Sequence, residues 1–384
     1  MHASSPTLIW QESDEAHTAR WRSEAGNVPP KRVVVADDTT PADTAYRLAC
    51  EGTALLWRGD FQNARQLLQA MGRRIDRKPR KKVAGSPADA FHAHRQAQGQ
   101  RARTLGMLLL PMDGDYGIPL RRAPDVRLAC REAYGEPDGQ PSVVSMREVL
   151  GLVGAHEWRK KGVPIAALGD RIHPWYGVFA PVRGEYIQLV DRAPLPSTTL
   201  AFDIGTGTGV LAAVLARRGV QRVVATDQDA RALACATENL TRLGLAAQVD
   251  VVEADLFPAG QAPLIVCNPP WVPARPSSPI EYAVYDPESR MLRGFLAGLR
   301  AHLTAGGEGW LILSDLAEHL GLRSRAELDG WIADAGLTVL GRIDTRPQHG
   351  KASDPDDPLH AARSVEVTSL WRLGAAADAA RPAA

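Results

Sequence analysis

The run Asp203-Ile-Gly-Thr-Gly-Thr-Gly209 joins an apolar stretch of strand character, residues 199 to 204, to one of helical spacing, 208 to 218. Glycines at a strand-to-helix turn let the backbone approach a ligand where a Cβ would collide with it. Gly205, Gly207 and Gly209 are spaced two and two, whereas a dinucleotide fingerprint needs two and then three. Asp203 closes the strand. A pyrophosphate would be repelled by a carboxylate there, but a ligand carrying an ammonium group would be attracted to it.

Outward from this turn, strand patterns recur at 222 to 227, 249 to 254, 263 to 267, 308 to 314, 337 to 343 and 364 to 371, with helical patterns at 229 to 243, 288 to 303 and 324 to 335. Such alternation predicts an α/β, Rossmann-like sheet of seven strands. Between the last two strands lies only the polar stretch Pro347 to His360, so these two are expected to pair antiparallel. The second strand ends in Thr226-Asp227, eighteen residues beyond Gly209, and the third is followed by Asp255-Leu256-Phe257. A carboxylate at Asp227 offers two oxygens to a pair of ribose hydroxyls. Asp255 then falls within reach of a base amino group, and Leu256 against the ring.

The fourth strand, Leu264-Ile-Val-Cys267, runs into Asn268-Pro-Pro-Trp271. In a sheet of this kind, chemistry belongs at the C-terminal ends of the strands. An amide or exocyclic base nitrogen is a poor nucleophile because its lone pair is delocalised. The Asn268 side-chain oxygen and the Pro269 carbonyl can each accept one N–H bond and so localise that pair, while Pro269 and Pro270 stiffen the loop. Trp271 offers a flat face to a planar substrate.

Residues 197 to 373 resemble the class I S-adenosylmethionine methyltransferases of the small methyltransferase domain group, which includes release-factor glutamine and ribosomal-RNA guanine-N2 methyltransferases. Asp203–Gly209 is similar to their first motif and Asn268–Trp271 to their Asn-Pro-Pro-aromatic signature. The resemblance implies a class I methyltransferase sheet with an antiparallel last strand, S-adenosyl-L-methionine as cofactor, and N-methyl transfer to a macromolecule. Asp203, the three glycines, Asp227, Asp255 and Leu256 would bind the cofactor; Asn268, Pro269, Pro270 and Trp271 would hold the acceptor. The glutamine enzymes usually carry Tyr and the guanine enzymes Phe where Trp271 stands. A protein glutamine amide and a base amino group of rRNA or DNA, guanine-N2 or adenine-N6, both stay open. A binding scaffold without catalysis is the reading from a different class. Tyr176 to Glu185 resembles a strand placed over the cofactor, with Phe179, Pro181 and Glu185 toward the methionine pocket.

The N-terminal half is expected to be an α+β substrate-recognition domain over residues 1 to 190, followed by the catalytic domain, 191 to 373, and a disordered Ala-rich tail, 374 to 384. Its first forty residues read as irregular apart from Val33–Val35. Helices are expected from Pro41, over 60 to 74, from Ser86, over 125 to 134 and over 146 to 156, with a strand at 105 to 110. Apolar content of 45% and charged content of 23% across 384 residues exclude a disordered or strongly polycationic chain. Residues 1 to 190 hold 27 Lys/Arg against 21 Asp/Glu, and the remainder 18 against 23. The run Arg73 to Lys82, seven basic residues and one acid, is a candidate nucleic-acid contact. Four scattered cysteines and the lack of a leader or membrane-span pattern point to a reduced, cytoplasmic protein. No metal site is expected, since His92 and His94 lie two apart on a helix.

Overall fold

The computed structural model describes residues 6–77, 85–182, 184–276, 279–347 and 354–376. The chain forms two compact units, the first spanning Met1–Ala84 and His92–Glu157, the second Gly85–Phe91 and Trp158–Ala384. Among the described residues no helix is long and apolar enough to cross a membrane.

The first unit is built on strands β1 (Thr7–Glu12), β2 (Glu15–Arg22), β3 (Arg32–Ala36), β4 (Thr53–Trp57), β5 (Leu108–Met112) and β6 (Ser142–Ser145). They form one mixed sheet in the order β1-β2-β6-β5-β4-β3. The opening residues are thus a hairpin rather than irregular chain. Its turn residues Ser13 and Asp14 have φ of 53° and 66°, the twist a two-residue hairpin needs, without the glycine that usually announces it. Ile9 faces solvent between the buried Leu8 and Trp10, which further blurs the period. Helix α1 (Ala42–Cys50) follows Pro41. In α2 (Phe61–Asp76), Asp60 accepts the Gln62 N–H as the sequence predicts, and its carboxylate also pairs with Arg121 and Arg122. Helix α3 (Pro87–Gly106) occupies residues expected to open a strand, so β5 starts only at Leu108. Helices α4 (Arg127–Tyr134) and α5 (Met146–Lys161) lie near their expected places. Of the basic run, Arg74 is paired with Asp43 and Asp76 with Arg101, while residues 78–82 lie outside the described residues.

The second unit begins earlier than residue 191. Strands β7 (Val163–Ile165) and β8 (Asp170–Ile172) and helix α6 (Glu185–Arg192) contribute Val163, Ile165, Ile172, Tyr186, Ile187 and Val190 to its core. These apolar faces need the neighbouring sheet for burial, so the proline-rich link at Ala193–Pro196 is not the boundary. Of the segment Tyr176 to Glu185, expected as a strand, the described residues 176–182 and 184 carry no strand pairing, and Glu185 opens α6.

The main sheet contains β9 (Leu200–Ile204), β10 (Arg222–Asp227), β11 (Val249–Glu253), β12 (Ala262–Cys267), β13 (Leu303–Ser314), β14 (Leu337–Thr345) and β15 (Thr368–Ala375). Their order is β11-β10-β9-β12-β13-β15-β14, with β15 antiparallel to both neighbours and the remainder parallel. Strands buried on both faces must be apolar throughout. In β9, Ala201 points into one core, with α6 and α7 (Val210–Arg217), while Phe202 and Ile204 point into the other, beneath α9 (Arg290–His302) and α11 (Arg325–Asp334). Helix α8 (Ala230–Arg242) closes the first layer. The last strand runs four residues later than expected and reaches Ala375, so Gly374 and Ala375 pair with Thr338 and Leu337 rather than starting a tail. Residues 377–384 lie outside the described residues.

Candidate functional site

Strand register assembles the site. On β9, Ile204 lies opposite Thr226 of β10 and Cys267 of β12. The next residues outward on these three adjacent strands are Gly205, Asp227 and Asn268. The chain leaves β9 toward β10 on one side and reaches β12 on the other. That reversal opens a crevice at the carboxyl ends of the strands.

The three turn glycines all have left-handed backbones, φ +70°, +56° and +80°, a conformation that costs other L-residues roughly 1–2 kcal/mol. Each answers a different demand. A Cβ on Gly205 would stand 2.4 Å from Met291 Cε, and one on Gly209 3.2 Å from Ala236 Cβ, whereas one on Gly207 would enter open space. The last is the approach a ligand requires. The Gly207 N–H donates to Asp227 Oδ2 at 3.0 Å, and the Thr208 carbonyl accepts from Asn239 Nδ2 at 3.1 Å. Thus α8 and β10 hold the turn from both sides.

Asp203 has a structural task that the sequence did not announce. Only 1% exposed, it accepts from the Thr206 hydroxyl at 2.6 Å and from the Ala212 N–H at 3.0 Å, both on Oδ2. Gly209 at the start of α7 has no side chain to cap it, so Asp203 supplies the acceptor that the first turn lacks. Its Oδ2 thereby organises the loop. Burial pushes its pKa up to about 6, against the pull of the two donors. An acid raised in the folded state binds its proton more tightly there, so stability falls as pH rises from about 4 through 6. Over that window this group alone should remove about 3 kcal/mol. Asp203→Asn is expected to flatten that part of the stability profile, and denaturant unfolding at pH 4, 5, 6 and 7 checks it; parallel profiles would refute the assignment.

Asp227 is half-buried, with Oδ1 accepting from the Asp229 N–H and Oδ2 from Gly207. Burial raises its pKa as well. Asp255 is exposed and ion-paired with Arg290 at 3.0 Å, so it stands engaged at the rim. Leu256 packs on the core under α9 and has φ +76°, a strained backbone for a bulky residue, while its carbonyl accepts from the Thr226 hydroxyl at 2.6 Å. Strain held in place by such a bond marks a position that the surroundings over-determine.

Beyond β12, Asn268 Oδ1 accepts the indole N–H of Trp271 at 2.9 Å. The ring is partly buried and packs against three apolar clusters. Val272 is bridged to Tyr285, and the Asp286 N–H donates to the Val272 carbonyl at 2.9 Å. Asp286 then caps α9, accepting from the Met291 and Leu292 N–H groups, which sets Met291 over Gly205. Sequence reasoning missed Thr206, Asn239, Asp286 and Met291. Only the polar positions flanking the glycines hinted at the first; the others are distant in sequence and act through packing. Phe179 packs on the first core of the main sheet, and Glu185 starts α6.

Residues 188–324 match the family model described as methyltransferase small domain. A release factor glutamine methyltransferase of Cereibacter sphaeroides is 35% identical over 130 residues, covering 33% of this chain and 43% of its own length. Ribosomal protein L11 methyltransferases of Pelotomaculum thermopropionicum and Sorangium cellulosum are 32% identical over 155 residues and 34% identical over 210, covering 34% and 48% of this chain and 50% and 60% of their own. The chain spans about half the length of the curated relatives it matches. The matched segment contains the glycine turn, Asp227, Asn268 and Trp271.

Proposed function

We propose that this small methyltransferase domain uses S-adenosylmethionine to methylate a planar side-chain nitrogen of a protein, with a glutamine amide as the leading acceptor. The observation that carries the reading is the register that brings Gly205, Asp227 and Asn268 to three neighbouring strand ends. The crevice fits the cofactor on two counts: the space above Gly207 that a Cβ would fill, and the half-buried Asp227 carboxylate with lone pairs left for hydroxyls. The Gly205–Gly209 turn, Asp227 and Leu256 would hold it. When bound, it supplies an electrophilic methyl group on a sulfonium.

This chain's residues would do the remaining work. Asn268 Oδ1 and the Pro269 carbonyl accept the two N–H groups of the acceptor and turn its lone pair out of conjugation. Pro269 and Pro270 limit how far the loop can relax, so the acceptor waits in a near-attack orientation. The nitrogen turns acidic on alkylation and releases its proton without a strong base. The relatives' names carry protein acceptors, and part of the basic run is already spent in ion pairs; both favour protein over nucleic acid.

Two measurements test this. Titration calorimetry of the full chain with S-adenosylmethionine is expected to show saturable binding, and its absence would leave only a scaffold. Tritiated methyl label transferred into cell extract should survive nuclease and vanish with protease. The opposite pattern would move the acceptor to a nucleic-acid base.

A further inference from the structure

We infer that Trp271 is a positioning residue, whose ring N–H sets the direction in which the Asn268 carboxamide faces. Its functional consequence rests on the methyl-transfer reading above; the contact itself does not. An indole nitrogen donates and cannot accept. The Asn268 atom 2.9 Å from Trp271 Nε1 is therefore the oxygen, because an amide nitrogen there would set donor against donor. The turned-over orientation of Asn268 is excluded by the chemistry of its neighbour. A carboxamide oxygen has two lone pairs, so with one held by the indole a single lone pair remains. Asn268 then accepts one N–H and no more, and an acceptor with two N–H groups must give the second to another oxygen, such as the Pro269 carbonyl. That arrangement selects a planar primary amide or amino group.

The ring is committed in the same way. It packs against side chains of three apolar clusters, and the following residue, Val272, is 4% exposed and bridged to Tyr285. Trp271 is thus fixed from both the apolar and the polar side, which a hydrogen-bond donor that aims another side chain requires. Phenylalanine would keep most of the packing but has no donor. A tyrosine carries its donor at the far end of the ring, away from the position of Nε1. The aromatic position of the signature acts here through its polar atom.

The test uses the full-length protein labelled with ¹⁵N. Nine tryptophans give nine indole signals, and the Trp271 signal is the one lost in Trp271→Phe. Its hydrogen exchange with solvent is expected to be slow in the wild type, slow in Asn268→Asp, which keeps an acceptor, and at least about tenfold faster in Asn268→Leu. Equal exchange in wild type and Asn268→Leu would overturn the contact. In transfer assays Trp271→Phe should lower kcat about tenfold to a hundredfold with little change in KM. In an Asn268→Ala background the same change should have no further effect. Additive losses, or a raised KM for the acceptor alone, would make Trp271 a stacking face and refute the inference. Slow exchange without any transfer by the wild type would sink the reaction while sustaining the contact.

Discussion

Replacing Asn268 by alanine is expected to lower methyl transfer by about a hundredfold to a thousandfold, with the dissociation constant for S-adenosylmethionine changed less than about twofold. The side chain follows the end of β12, next to the glycine turn in register. Removing it leaves the turn, Asp227 and Leu256 untouched, so cofactor binding has no reason to change. On the proposed reading, transfer would lose the oxygen that localises the acceptor's lone pair, an interaction needed only while the bond forms. The indole N–H of Trp271 also loses its acceptor. An orphaned, partly buried donor costs about 1–2 kcal/mol, so a modest fall in Tm should accompany the kinetic loss. Single-turnover transfer, calorimetry and thermal unfolding of the same preparation separate the three effects. Wild-type turnover would show that another group holds the acceptor. An affinity loss matching the rate loss would place Asn268 in cofactor binding.

Gly207→Ala and Gly209→Ala should part company, although both residues have left-handed backbones. At Gly209 the added methyl meets Ala236 Cβ at 3.2 Å and its Cα at 3.3 Å, and Ala236 on α8 is fully buried. Backbone strain and overpacking together should cost about 2–5 kcal/mol. At Gly207 the methyl meets nothing within 4 Å, so only the backbone term remains, about 1–2 kcal/mol. The same methyl takes up space a ligand would fill, and affinity for S-adenosylmethionine should fall about tenfold or more. Denaturant unfolding and calorimetry on the two variants decide it. Unchanged affinity in Gly207→Ala would mean that the turn does not face the cofactor.

The contrast between these glycines shows how far a motif can be read. Their spacing argued against a dinucleotide site and marked a tight turn, because a missing Cβ is visible in a sequence. Which absence serves a ligand and which serves helix packing depends on Ala236 and Met291, residues that lie in other elements. The carboxylate of Asp203 teaches the same lesson. A strand-end acid beside a glycine turn reads as a ligand contact, yet the Thr206 hydroxyl of the turn and the Ala212 N–H of α7 both donate to its Oδ2, so it also organises the loop.

What the sequence by itself determined is the order of the seven main-sheet strands and of the helices α7, α8, α9 and α11, the antiparallel final pair, and the two motifs that meet at the switch point. Periodicity and composition are local, so apolar strands buried on two faces and glycine turns announce themselves. Only the tertiary structure decided that the second unit reaches back to Trp158, that Thr7 to Arg22 form a hairpin, and that the Trp271 ring N–H donates to Asn268. Those outcomes turn on which surfaces find partners across the chain, and on which hydrogen bonds remain once the cores have closed. A side chain's neighbours are a property of the packed whole, and no window of residues contains them.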